Sequence, residues 1–238
     1  MNKFGDNNFI LDLKIFLVAI LGIIILTGCT PKNEETPVEC FTISDNEIIG
    51  YDQSCGTDVV IPDGVTSIGR SAFLRSRLTS VVIPDSVTSI GRTAFGGNEL
   101  TSLTLGNSVT SIEKSAFSAN RLTSVVIPDS VTSIGPCAFE LNQLTSLTLG
   151  NSVTSIGISA FTGKGLTSIV IPDSVTSIGK RAFYFQPLRA SLVIPGSVTS
   201  IGDEAFSGNN LERVTIEGDD PTRFNEVWLD IGFYGLQQ

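Results

Sequence analysis

From Leu78 onward the chain repeats a fixed order of apolar and polar positions. Leu78, Val81, Ile83, Val87, Ile90, Ala94 and Phe95 are apolar, and most residues between them are Thr, Ser, Gly, Pro, Asp or Asn. Neither a period of 2 nor a period of 3.6 fits all seven positions, so the unit is neither one strand nor one helix. It reads as a coil: a short strand through Val81 to Ile83, a corner at Pro84 and Asp85, a second extended stretch from Val87 to Ile90, and a turn or helical loop around Ala94 and Phe95. The Ala-Phe pair returns at Phe73, Phe95, Phe117, Phe139, Phe161, Phe183 and Phe206, with spacings of 22 five times and then 23. Such a period marks a solenoid, because one coil cannot bury its own apolar face and a stack can. Parallel strands about 4.8 Å apart are expected, with each apolar column forming an internal ladder.

A longer period lies on top of the first. Residues 78–91 are identical to 122–135, and 100–112 to 144–156, so a 44-residue pair alternates Ile-Pro-Asp with Leu-Gly-Asn. The end coils need covers for their apolar interiors. Phe41, Ile43, Ile48, Ile49 and Tyr51 are placed for an N-terminal cap, and Phe224, Trp228, Phe233 and Tyr234 for a C-terminal one, with an aromatic binding site the alternative for the latter.

With Val81 and Ile83 inward, strand alternation turns Ser80 and Val82 outward, together with Ser102 and Thr104, Ser124 and Val126, Ser146 and Thr148, and Ser168 and Val170. This uncharged, hydroxyl-bearing column is the candidate binding face; the alternative is a solvated sheet face with no ligand. The column Asp63, Asp85, Asn107, Asp129, Asn151 and Asp173 has the oxygen chemistry calcium prefers, but each residue follows Pro or Gly at a corner, where Asp and Asn bond to nearby backbone. Asn98, Asn120, Asn142 and Asn209 are read as satisfying buried backbone groups. Arg70, Arg92 and Lys114 stack as a basic stripe, either a solvated edge or a contact for an acidic ligand.

Ahead of the repeats, Ile15 to Leu26 is a run of twelve apolar residues, short of the roughly 20 that span a bilayer as a helix. It leads into Leu26-Thr27-Gly28-Cys29, which resembles a bacterial lipobox. That resemblance implies cleavage before Cys29 and a lipid on it. The leading region departs from the pattern in having no net positive charge. Thr30 to Pro37 reads as a polar tether. The expected organisation is a signal peptide over 1–28, lipidated cysteine and tether over 29–38, N-terminal cap over 39–58, solenoid over 59–217 and C-terminal cap over 218–238.

The repeat L-T-S-V-V-I-P-D-S-V-T-S-I-G-x-x-A-F-x-x-N is similar to the BspA-type leucine-rich repeat of bacterial surface and secreted proteins, over about residues 59 to 216. The resemblance implies a right-handed, β-rich α/β solenoid of about seven repeats, anchored by lipid or to the wall, with adhesive or protein-binding roles and no fixed ligand.

Composition narrows the function. The formal charge is −9, and since Lys3 and Lys14 balance Asp6 and Asp12, it stays with the chain after Cys29. Nucleic acid is then not an expected partner. There is no histidine, which removes the commonest general base and metal ligand. No enzyme activity, metal or cofactor is expected. Cys40 and Cys55 are a possible disulfide, worth roughly 3 kcal/mol on the chain-entropy model, although spacing does not fix connectivity and the reduced, buried state is the alternative. Cys137 occupies a column otherwise filled by Ser71, Thr93, Ser115 and Ser159, as a small packing residue would. The expectation is a lipid-anchored binding or adhesion protein of the bacterial envelope, at the outer membrane or cell surface, recognising a host or neighbouring-cell protein or glycan. A structural, self-associating envelope component is the alternative.

Overall fold

The seven apolar positions of the repeat turn inward together: Leu78, Val81, Ile83, Val87, Ile90, Ala94 and Phe95 are all buried, as are nearly all their counterparts from coil to coil. The structure, a computed structural model, describes residues 35–189 and 191–218. The apolar run 15–26, Cys29 and the aromatic residues Phe224, Trp228, Phe233 and Tyr234 lie outside the described residues. Along the axis the phenylalanines stack with ring centroids from 4.7 Å (Phe73 on Phe95) to 5.5 Å (Phe161 on Phe183). Burial of each such side chain stabilises the stack by roughly 1.5–3 kcal/mol.

Every coil offers two strand positions. The first, the long-strand face, forms three separate sheets. Asp58–Val60, Ser80–Val82 and Ser102–Thr104 make one, Ser124–Val126 and Ser146–Thr148 a second, and Ser191–Ile194 with Arg213–Ile216 a third. The second, the short-strand face, consists of Ser-Ile pairs from Ser67–Ile68 to Ser200–Ile201. These join the N-terminal hairpin in one uninterrupted sheet of nine strands. Apart from the hairpin, the pairing is parallel and in register, Ser on Ser and Ile on Ile. The segment around Ala94 and Phe95 is a hydrogen-bonded turn and not a helix. Among the described residues the only helical pieces are 3₁₀ turns at Val38–Cys40 and Gln53–Cys55, so the coil is built of short strands and turns.

Strands Phe41–Ser44 and Glu47–Tyr51 pair as an antiparallel hairpin, and Ile48 continues the nine-stranded sheet onto Ile68. Phe41 and Tyr51 cover Phe73, at 6.2 and 5.2 Å between rings. Ile43 and Ile49, expected within the cap, are exposed: alternation turns Ile49 away from the face that holds Ile48, and the bulge between Thr42 and Ile43 turns Ile43 away from the face that holds Phe41. Cys40 and Cys55 are joined as a disulfide, and Cys137 is free. Thr36, expected within the tether, is buried against the first coil. Its N–H donates to the Val60 carbonyl (3.2 Å) and its Oγ1 accepts from the Val60 N–H (2.9 Å).

At each coil's exit from the turn, a buried asparagine closes the backbone accounts. Asn120 donates from Nδ2 to the carbonyls of Phe95 and Phe117 and accepts at Oδ1 from Leu100 N–H; Asn98 and Asn142 repeat the pattern. Asn209 does the same one coil from the described end. Lys164 interrupts the column, and Gln186 resumes it by accepting from Leu166 N–H.

Candidate binding faces

The short-strand face owes its continuity to the backbone. Thr88 N–H donates to Thr66 carbonyl (2.9 Å) and Gly91 N–H to Ile68 carbonyl (2.8 Å), and the Thr bonds recur to Thr199, the Gly bonds to Gly202. At most of these positions glycine lets the coils touch closely. A Cβ on Gly135 would come within 2.7 Å of Glu113 C and Lys114 N, backbone atoms with nowhere to go. At Glu113, where the neighbouring coils have glycine, the carboxylate reaches back to accept from Arg92 N–H (3.0 Å). Outward of this ladder lie the serines. Among the described residues the hydroxyls of Ser133, Ser155 and Ser177 make no hydrogen bond within the protein, so they keep both donor and acceptor capacity for an occupant. An open groove of about 600 Å³ follows the sheet from Ser111 to Gly202, and a second of about 460 Å³ lies over Glu47, Ser67 and Ser89.

The long-strand face carries the column singled out from sequence. Ser80 and Val82 are half-buried; Ser102, Thr104, Ser124, Val126, Ser146 and Thr148 are exposed on strands. Ser168 and Val170 are exposed but belong to no strand, so the expected ladder does not reach them. In the turn before them, Lys164 stands at the asparagine position, and Gly165 packs so tightly that a Cβ would meet the Leu144 carbonyl. Ser80 is also engaged, donating from Oγ to Asp58 Oδ1 (2.6 Å). The apolar content of the face is concentrated at Val126 and Val170, 66% and 80% exposed.

The breaks on this face follow the 44-residue pairing. Ile83 N–H donates to Thr104 carbonyl (2.9 Å) and Ile127 N–H to Thr148 carbonyl (2.9 Å), each joining an Ile-Pro-Asp coil to the Leu-Gly-Asn coil after it. After Thr104, and again after Thr148, strand pairing stops among the described residues. Gly106 explains the asymmetry. A Cβ there would collide with the Pro84 carbonyl oxygen, so the Leu-Gly-Asn coil leans onto the coil before it, and Asn107 N–H donates to Asp85 Oδ1 (2.6 Å). Gly150, Pro128, Asn151 and Asp129 repeat the arrangement at 2.7 Å. The acidic column is thus occupied in part by corner bonds. Among the described residues no group of His, Cys, Asp and Glu is arranged to hold a metal ion.

Cys137 is half-buried, and burial, reinforced by Glu140, pushes its thiol up to about 11. The protonated thiol is a poor nucleophile at neutral pH, as suits a packing position. Sequence reasoning missed the seven-serine ladder, although its signal was present: Thr-Ser-Ile is kept in all seven repeats, more strictly than the Ser-Val-Val column preferred.

This geometry defines a parallel β-solenoid of stacked repeats with strands on two sides. The BspA type leucine rich repeat region, in six copies, matches residues 50–163 and 110–226, and the chain belongs to that family. Among solved structures it is similar to a leucine rich cell surface protein from Faecalibacterium prausnitzii A2-165, at 27% identity and a TM-score of 0.53, over 75% of this chain and 53% of that one. It thus spans about half of that protein's length. A leucine rich repeat protein of T. pallidum is 24% identical, with a TM-score of 0.45, over 77% of this chain and 86% of that one. No curated protein matches the chain.

Proposed function

We propose that this chain is an extracytoplasmic binding or adhesion protein of the bacterial envelope, tethered by a lipid on Cys29, whose nine-stranded face receives an extended segment of a protein or glycan. The observation that carries this reading is the uninterrupted ladder of Ser133, Ser155 and Ser177, free to hydrogen-bond, along the floor of an open groove of about 600 Å³. Repeated identical coils suit an elongated partner, because each added contact raises the effective concentration for the next. Resemblance to a cell surface protein supports the location, and the lipobox-like Leu26-Thr27-Gly28-Cys29 supports the anchor.

Two measurements test it. Labelled fatty acid is expected on the wild type and not on Cys29→Ala; equal labelling contradicts the anchor. For a ligand captured from host matrix, Ser133→Arg with Ser155→Arg should weaken binding at least tenfold, about 1.4 kcal/mol, while Thr104→Lys with Val126→Lys on the other face should not. The reverse outcome moves the site to the long-strand face. Concentration-dependent self-association with no ligand favours the structural alternative, for which the exposed Val126 and Val170 are the motivating feature.

A further inference from the structure

Charge is distributed very unevenly around the turns that close each coil. In the first three, spanning 70–77, 92–99 and 114–121, the cations are Arg70, Arg75, Arg77, Arg92, Lys114 and Arg121, and the one acid within these spans is Glu99, with Glu47 and Glu113 bordering Arg70 and Arg92. In the next four, 136–143, 158–165, 180–187 and 203–210, Lys164, Lys180 and Arg181 face Glu140, Asp203 and Glu204. The later turns also neutralise themselves, through Lys180 to Asp203 (3.3 Å) and Arg181 to Glu204 (2.9 Å). In the first three turns only Arg121 is paired, with Glu99 at 3.0 Å; Arg70, Arg75, Arg77, Arg92 and Lys114 are exposed and form no salt bridge among the described residues. Arg75 stretches across Gly97 of the next coil, so the columns merge into one patch. A chain of net charge −9 therefore carries a cationic patch at one end of its stack.

That end is the one to which the chain leads from Cys29. Thr36 is already fastened to Val60 of the first coil, so seven peptide links separate the anchoring cysteine from the solenoid, a reach of at most about 25 Å. We propose that the turn side of the first three coils rests on anionic lipid headgroups of the membrane that carries the Cys29 anchor, fixing the orientation of the solenoid there. The proposal rests on the lipidation reading for its location and on the charge pattern for its chemistry. Basic side chains close to an anionic bilayer are attracted over about a Debye length, with each adding about fivefold to membrane partitioning. Arg70 and Arg92 also line the groove over Glu47, Ser67 and Ser89, so the contact borders that end of the short-strand face.

The test uses unlipidated chain starting at residue 30, since the core lies wholly within residues 40–206. Vesicles of phosphatidylcholine with a third phosphatidylglycerol should sediment the protein at low salt and release it near 1 M, and pure phosphatidylcholine vesicles should not sediment it. Arg70→Gln with Arg75→Gln and Arg92→Gln, folded by circular dichroism, should weaken binding on the order of a hundredfold, and Lys164→Gln with Arg189→Gln by far less. Equal binding to both vesicle types, or an unaffected triple variant, overturns the proposal. Retention on immobilised polyglutamate without vesicle binding also overturns it, in favour of a soluble acidic partner. Because the chain tested has no lipid, failure here is separable from failure of Cys29 labelling.

Discussion

The long-strand and short-strand faces are built from the same 22-residue repeat, but one is interrupted after Thr104 and Thr148 and the other runs through nine strands. The longer strands, richer in β-branched residues, make the weaker ladder. On the short-strand face every coil meets its neighbour through the same Thr, Ser, Ile and, at most positions, Gly, so each step is equivalent. On the long-strand face Pro84 and Gly106 alternate, and a coil that leans toward one neighbour draws away from the other. Continuity in a solenoid thus depends on how closely consecutive backbones approach, more than on the strand preference of the side chains.

The largest expected effect lies beneath both faces: Phe117→Ala, in the middle of the ring stack, should cost roughly 3–5 kcal/mol by chemical denaturation. A loss below about 1 kcal/mol would mean that the faces do not share one core. Next, Gly135→Ala on the short-strand face should cost about 1–3 kcal/mol because its Cβ would press on Glu113 and Lys114 backbone. An unchanged midpoint would show that the ladder has slack and that its continuity is not enforced by glycine. Asp85→Ala removes the acceptor of Asn107 N–H and should cost about 0.5–1.5 kcal/mol, whereas Asp173, whose successor in the column is Gly196, should be replaceable by Ala at little cost. Equal costs would detach the 44-residue pairing from the corner bonds. Smallest of all, Thr104→Ala, on an exposed position of the long-strand face, should cost about 0.5 kcal/mol or less.

Much of this was legible in the repeat. The inward columns, the asparagine positions, the corner role of Asp85 and the N-terminal cap through Phe41 and Ile48 all follow from apolar spacing and turn chemistry. The continuity of the short-strand face did not follow. Ser-Val-Val alternates like a strand and Thr-Ser-Ile-Gly does not, and side-chain pattern says little about a ladder carried by the backbone. The end of the long-strand column at Ser168 was equally hidden, because Ser168 and Val170 keep the alternation of their counterparts. Gln186, with one more methylene than asparagine, still takes the asparagine's place in accepting from Leu166 N–H (2.9 Å).

Amide hydrogen exchange in the native state tests the contrast between the faces most directly. Thr132 and Gly135 donate to Thr110 and Ile112 across the step from the coil 100–121 to the coil 122–143 on the short-strand face, at 2.9 and 2.8 Å. At the same step on the long-strand face, Leu105 and Thr123 have no backbone acceptor among the described residues. Thr132 and Gly135 should exchange only on global or large sub-global opening, and Leu105 and Thr123 roughly a hundredfold faster or more. Equal protection of the four amides would contradict an uninterrupted ladder on one face and a paired, broken one on the other.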